Sequence, residues 1–335
     1  MKAFNVGILG ATGAVGREMM NILEERNFPI GELRLLASPR SVGKKLSFKG
    51  QEIEVKLADE NAFEGLDIVL GAASNAVAKQ LAPAIVKAGA VFVDNSSAFR
   101  MIDDVPLVIP EINAEDVKKN KGIISNPNCS TIITLVAVNA LNNLSKIKGM
   151  VASTYQATSG AGAEGPVELR NQMSAIVNGG EITNSVFQYQ IAENVIPHIG
   201  SFLENGFTAE EMKMQNEGRK ILHLPELNVT CTCVRVPVVR SHSISVTVLT
   251  ERALSVDEVR EALSSAKGVR LYDDGEKREY PMPLVTSGQD IVYVGRIRKD
   301  LVFDNAITLW CCGDQVRKGA ATNAIQIAEE VIKNL

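Results

Sequence analysis

Cys129 is the residue whose setting most invites covalent chemistry. It closes the run Ile123-Ile124-Ser125-Asn126-Pro127-Asn128-Cys129-Ser130-Thr131, in which a short apolar strand gives way to a turn and then to a helical pattern. Pro127 restricts Asn126 to extended geometry, so the helix cannot start earlier, and Ser130 and Thr131 open the helical run. A thiol at a helix start meets the positive end of the macrodipole and unpaired N–H donors. Its thiolate is favoured there, and the same donors can receive a developing oxyanion. The turn by itself also admits a packed structural cysteine.

A second chemical signature lies at the N-terminus. The apolar strand Ala3 to Leu9 runs into Gly10-Ala11-Thr12-Gly13-Ala14-Val15-Gly16 and then a helical pattern through Met19, Met20, Ile22 and Leu23. Glycines between strand and helix let backbone approach a pyrophosphate at the helix N-terminus. The next strand, Glu32 to Ala37, ends where an NAD-specific protein carries an acid for the ribose hydroxyls. Here it is followed by Ser38-Pro39-Arg40-Ser41, and then by Gly43-Lys44-Lys45. A cation and hydroxyls at Ser38, Arg40 and Ser41 suit a 2′-phosphate, which points to NADP.

A nucleophilic thiol and a nicotinamide cofactor together imply an aldehyde oxidised through a thioester, resolved by a second nucleophile. An acid or base must stand near the sulfur. Of the three histidines, His198, His223 and His242, the last is best placed, directly after a strand from Val234 to Arg240. Arg235 and Arg240 lie an odd number of residues apart on that stretch, so one of them is expected to enter the site. Asp94-Asn95-Ser96-Ser97-Ala98-Phe99-Arg100 follows a strand end, where ligands bind in such sheets, and makes Arg100 a candidate anion contact. The remaining thiols, Cys231, Cys233, Cys311 and Cys312, fit reduced packed residues better than a disulfide framework. The histidines show no ligand spacing, so no metal is expected.

These groups require elements to hold them. Strands at Asp67 to Gly71, Val91 to Asp94 and Leu107 to Ile109, with a helix from Asn75 to Lys87, continue an α/β pattern of parallel sheet covered by helices on both faces. The helix from Thr131 to Leu144 is apolar nearly all round and should be buried. Beyond it, strand Gly149 to Thr158, helix Pro166 to Val177, helix Ala209 to Ile221 and a neighbouring antiparallel pair, Val229 to Val239 and Ser243 to Leu249, predict a second, sheet-containing domain. Gly179 to Gly206 is turn-rich and receives no assignment. An amphipathic helix through Ala321, Ala324, Ile325, Ala328, Val331, Ile332 and Leu335 is expected to dock back on the first domain.

Composition agrees. With 45% hydrophobic and 22% charged residues and a net charge of -4, the chain reads as an ordinary globular protein with room for two cores. That charge gives nucleic acid no support as a partner. The most apolar run, Thr131 to Leu141, is too short for a bilayer, and no charged-then-apolar leader stands at the start, so a cytoplasmic location is expected.

Four stretches, Gly7 to Gly16, Ser125 to Thr131, Gln156-Ala157-Thr158-Ser159-Gly160 and Arg235-Val236-Pro237-Val238-Val239-Arg240-Ser241-His242, together resemble the aspartate-semialdehyde dehydrogenase family from end to end. That family interconverts L-aspartate 4-semialdehyde, phosphate and NADP with L-4-aspartyl phosphate and NADPH, on the route to lysine, methionine and threonine. The resemblance implies Cys129 as nucleophile, His242 as acid/base, and Gln156 and Asn128 around the carbonyl. It implies Arg235 for the substrate carboxylate, Arg100 and Lys213 for phosphate, and Glu210 for the amino end. Ser159, Gly160 and Gln315 join Gly10 to Gly16 as cofactor contacts, although Gln315 follows Asp314 where the family is expected to carry Asn. The implied fold is a Rossmann-type doubly wound domain, residues 1–128 completed by the C-terminal helix 315–335, and an α+β catalytic and dimerisation domain, 129–314, in a homodimer or homotetramer. The nearest alternative is N-acetyl-gamma-glutamyl-phosphate reductase, whose expected Asn-Pro-Gly-Cys-Tyr is not matched by Asn128 and Ser130. An alternative of another class is a non-catalytic NADP-binding regulator.

Overall fold

A computed structural model describes residues 2–334. In chain order the regular elements are β1 (Phe4–Leu9), α1 (Ala14–Glu25), β2 (Ile30–Ala37), β3 (Lys45–Phe48), β4 (Gln51–Leu57), β5 (Ile68–Gly71), α2 (Asn75–Lys87), β6 (Val91–Asp94), α3 (Pro110–Asn113) and β7 (Ile123–Ser125). There follow α4 (Cys129–Leu144), β8 (Ile147–Gln156), α5 (Glu164–Asn178), α6 (Ala209–Ile221), β9 (Asn228–Arg235), β10 (His242–Thr250), α7 (Val256–Ser265), β11 (Val269–Leu271), α8 (Pro283–Thr286), β12 (Val292–Lys299), β13 (Ala306–Gly313) and α9 (Thr322–Ile332). The chain divides into two compact units. One holds the residues up to Asn128 with those from Ala320 onward, and the other spans Cys129–Gly319.

The first unit is a seven-stranded sheet in the order β3-β4-β2-β1-β5-β6-β7. Its pairs are parallel except β3 with β4. The central strands are apolar runs because parallel strands under helices are buried on both faces; β5, Ile-Val-Leu-Gly, is fully enclosed. The β3–β4 hairpin, a stretch that received no strand assignment from the sequence, turns at Lys49 and Gly50, both at positive φ (48° and 76°), the geometry that matches strand twist. The expected strand Leu107 to Ile109 is absent: Leu107 makes a single bridge to Ser125, and prolines at 106 and 110 bracket the segment, removing ladder donors. Helix α9 packs on this unit, with Arg26 gripping Glu329 through two hydrogen bonds of 2.7 and 2.6 Å. Leu335, expected on its apolar stripe, lies outside the described residues.

The turn after β7 is fixed by an asparagine network. Buried Asn126 donates to Asn95 Oδ1 at 2.8 Å and accepts from Asn323 Nδ2 at 2.6 Å, and Asn323 also donates to Val108 O at 2.9 Å. The second unit is a six-stranded mixed sheet, β11-β12-β13-β10-β8-β9. Helices α4, α6 and α7 pack on it, and α4 lies so close to β13 that a Cβ on Gly313 would stand 3.1 Å from Ile133. The expected pairing of β9 with β10 is corrected: β8 lies between them, parallel to β9 and antiparallel to β10. The connection through Pro237 to Ser241, where Ser241 has φ 76°, is therefore a crossover and not a hairpin.

Replacing Asn126 by Ala removes one hydrogen bond each from the amides of Asn95 and Asn323. The expected cost is about 1–3 kcal/mol, read as a lowered thermal midpoint. An unchanged midpoint would mean that the network does not hold the turn.

Candidate active site

In the first unit the glycine loop forms a cradle that only glycine permits. Gly10 sits at φ 88°, and a Cβ there would lie 2.4 Å from Ala72 O; a Cβ on Gly16 would lie 2.3 Å from Gly10 O. Helix α1 begins after Gly13 with no side-chain cap and no acid in its first turn, so its N–H donors face outward for an anion. Thr12 Oγ1 and Ser41 Oγ stand 3.3 Å apart, tying the glycine loop to the segment after β2. Next to Ser41, exposed Arg40 makes no hydrogen bond or ion pair among the described residues. Between them opens a cavity of about 330 Å³ whose walls include Gly10, Thr12, Gly13, Ser38, Ala72, Val77 and Leu81. These residues fit a dinucleotide: a phosphate-sized helix start, hydroxyls and a cation beside it, and apolar walls for a ring. Val77 and Leu81 were not foreseen as wall residues, though their four-residue spacing on α2 was a readable signal.

In the second unit, strand register assembles the chemistry. Gln156 ends β8 and pairs with Arg235, which ends β9; His242 begins β10 next to the Ser243–Tyr155 pair. All three side chains are buried on one face of the sheet. Helix α4, with Cys129 as its first residue, packs against strands β8 and β10 of that sheet. Gly319 lies so close that a Cβ there would be 3.0 Å from Cys129 Cβ.

The hydrogen bonds orient each group. The Ala157 N–H donates to His242 Nδ1 at 3.0 Å, so the neutral ring carries its proton on Nε2, which finds no partner among the described residues. Burial, reinforced by the Arg235 cation and partly opposed by Glu210, lowers the imidazole pKa from 6.5 to about 3. Arg235 donates from Nη1 to Ala157 O at 2.6 Å. Burial lowers its pKa, and the neighbouring Cys129 and Glu210 side chains oppose that shift. A Cβ on Gly160 would fall 2.9 Å from Arg235 Nη1 and 3.2 Å from His242 Nε2, so this glycine leaves open the space before both. Gln156 accepts from Thr154 Oγ1 at 2.9 Å and donates to Glu210 at 3.3 Å, and Lys213 pairs with Glu210 at 2.7 Å.

Several expectations change. Arg235 and Arg240 do not share a strand, since β9 stops at Arg235; nor does His242 follow Arg235 on one strand. Alternation therefore does not sort the arginines. Arg240 pairs instead with fully buried Asp314 at 2.6 Å. Gln315 accepts from Ser241 N–H at 2.8 Å and donates to Ser159, so both ends of its amide are engaged. Arg100 belongs to the first unit, buried, with Nη2 donating to Asn95 O at 2.7 Å. Asn128, the last residue of that unit's first segment, is buried as well. Asn126 and Gly319 were missed; the first was treated only as a turn residue, and nothing local marks the second. The four other thiols are free, with Cys231 and Cys233 on one face and their sulfurs 3.8 Å apart. No cluster of potential metal ligands occurs among the described residues.

Residues 5–120 match the family described as "Semialdehyde dehydrogenase, NAD binding domain", and residues 138–318 match "Semialdehyde dehydrogenase, dimerisation domain". An aspartate-semialdehyde dehydrogenase from Aquifex aeolicus is 52% identical, over 98% of both chains. One from Bacillus subtilis is 46% identical, over 99% of this chain and 98% of the relative. This chain belongs to the aspartate-semialdehyde dehydrogenase family. Its structure matches a crystal structure of "aspartate semialdehyde dehydrogenase II complexed with ASA" from Vibrio cholerae, with a TM-score of 0.97 and 42% identity over 99% of each chain. It also matches a structure of the Candida albicans enzyme with NADP, with a TM-score of 0.77 and 26% identity over 98% of each chain.

The depressed pKa of His242 ties stability to pH. An unfolded chain takes up this proton near pH 6.5 and the folded one near 3, so stability falls as pH drops through that window. From about pH 7 to about pH 4 the wild type should lose on the order of 3 kcal/mol more than His242→Gln, measured by urea unfolding. Parallel pH curves would show that the ring is not held neutral.

Proposed function

We propose that this protein is an aspartate-semialdehyde dehydrogenase that catalyses the reversible, NADP-dependent conversion of L-aspartate 4-semialdehyde and phosphate to L-4-aspartyl phosphate. The observation that carries the residue assignments is the convergence of Gln156, Arg235 and His242 at one end of a sheet on which the Cys129 helix packs. Neither a reductase for the acetylated glutamyl substrate nor a silent NADP-binding regulator gains an observation of its own.

The Cys129 thiolate, favoured by the helix start and by the Arg235 cation, attacks the aldehyde carbon. Nε2–H of neutral His242 donates to the carbonyl oxygen as charge grows there and recovers its hydrogen when the carbonyl re-forms. When bound, the nicotinamide accepts or returns the hydride. A phosphate oxygen then attacks the Cys129 thioester, the C–S bond breaks and the thiolate is regenerated. Arg235 holds the substrate carboxylate with its planar fork, and Glu210, braced by Lys213 and Gln156, takes the amino end. Arg100 and Lys213 serve phosphate as cations, and Asn128 and Gln156 orient the carbonyl. Gly10, Thr12, Gly13, Ala14, Val15 and Gly16 would hold the cofactor's pyrophosphate. Ser38, Arg40 and Ser41 would hold its 2′-phosphate, and Ser159, Gly160 and Gln315 would serve its nicotinamide end.

The chain assembles as a homodimer or a homotetramer. Across its middle, the sheet face away from α4 carries Val151, Tyr155, Ser245, Thr247 and Trp310, all at least partly exposed, with the Tyr155 and Trp310 rings 5.3 Å apart. An open face of this kind suits a second copy. No helix among the described residues is long and apolar enough to cross a membrane, and a cytoplasmic enzyme is the location proposed.

Phosphate-dependent NADPH formation should appear with aspartate semialdehyde and be weak with N-acetyl-glutamate semialdehyde; the reverse preference would overturn the substrate assignment. Cys129→Ser should bind NADP and lose turnover, because an unactivated serine hydroxyl is a poor nucleophile. An acyl group found on another cysteine by mass spectrometry would refute that role. Arg40→Ala should raise the KM for NADP about tenfold and leave NAD unaffected, since the lost charge-assisted contact exists only with the 2′-phosphate. Equal losses with both cofactors would make Arg40 structural.

A further inference from the structure

We infer that Glu168 and Phe187 are positioning residues that aim the guanidinium of Arg235, and thereby set the enzyme's preference for an aldehyde bearing a carboxylate. The inference rests on the reading of Arg235 as the carboxylate receptor.

Glu168, on α5, is buried at 5% exposure and has no cationic partner among the described residues. Its carboxylate instead accepts from Ser185 N (2.7 Å), Ser185 Oγ (2.8 Å), Val186 N (2.6 Å), Phe187 N (3.2 Å) and Gln172 Nε2 (3.4 Å). Burial opposes its charge, yet the donors from Val186, Ser185 and Phe187 win, and its pKa lies below the usual carboxylate value. One turn along α5, Gln172 Oε1 accepts from Ile191 N at 2.9 Å and Ala192 N at 3.0 Å. Two side chains on one helix face thus fold a segment that has no regular structure of its own.

That segment delivers two constraints to Arg235. The Phe187 ring lies 5.8 Å from Arg235 Cζ, and Ile196 and Arg235 exchange backbone hydrogen bonds of 2.9 and 2.8 Å. With Nη1 already donating to Ala157 O, the guanidinium is held by a carbonyl at one edge and by an aromatic ring. A planar fork captures a carboxylate in two bonds only when its plane is set, and a desolvated cation–π contact sets it. Phe187 also packs with Leu169, Ile191, Ala192 and Ile196, so a purely structural role must be separated from positioning.

Steady-state kinetics of the full-length enzyme makes the separation, with aspartate semialdehyde compared against propanal, which lacks the carboxylate. Phe187→Leu and Glu168→Gln should each raise the KM for the semialdehyde about tenfold, the effect of a lost cation–π contact. They should leave kcat, the phosphate and NADP KM values and propanal turnover within about twofold. Phe187→Tyr, which keeps the ring, should restore the wild-type KM. Equal losses on both aldehydes, or no rescue by Tyr, would overturn the inference in favour of structure alone. Arg235→Lys is the control for the underlying reading. If it raises the semialdehyde KM and Phe187→Leu does not, positioning by Phe187 is refuted while the receptor stands; if Arg235→Lys leaves that KM unchanged, the receptor reading itself falls.

Discussion

The break between β7 and α4 is the constraint on which the rest depends. Pro127 keeps Asn126 in extended geometry, so no helix can run through the turn from β7, and α4 starts at Cys129 with the sulfur on its first helical residue. Behind it, residues from Ser130 to Leu141 are buried almost without exception, which makes α4 a rigid base with nowhere to shift. In front of it, Asn126 is held by Asn95 and Asn323, so the turn is set by strand β6's loop and by helix α9 together.

Burial does the second task. Gln156, Arg235 and His242 would be ordinary polar residues on a wet strand; sunk into the sheet face, each is forced into a single hydrogen-bonded role. The Ala157 peptide illustrates the economy of the site, its N–H donating to His242 Nδ1 and its C=O accepting from Arg235. The backbone of one residue therefore decides both the tautomer of the imidazole and the direction of the guanidinium. Because the imidazole is desolvated beside a guanidinium, it stays neutral and presents Nε2–H toward the space that Gly160 leaves open.

The stretch from Gly179 to Gly206 shows how irregular chain is held without strands or helices. Its backbone donors at 185–187 and 191–192 are taken by Glu168 and Gln172, residues four apart on one face of α5. Side chains replace the ladder, and the segment can then follow the contour around Arg235.

Local residue chemistry determined much of this protein. The glycine loop, the Asn-Pro-Asn turn and helices such as Asn75–Lys87 and Ala209–Ile221 were legible because steric limits and helical periodicity act over a few residues. Long-range pairing was not. Sequence alone set β9 and β10 side by side as antiparallel neighbours, and only the folded sheet shows β8 inserted between them, because a strand's partner depends on distant residues competing for the same edge. The same decision separated Arg235 from Arg240 and brought Gln156 beside Arg235 and His242. The tautomer of His242, the ring facing Arg235 and the tight approach of Gly319 to Cys129 likewise exist only once desolvation and contacts across many residues are in place.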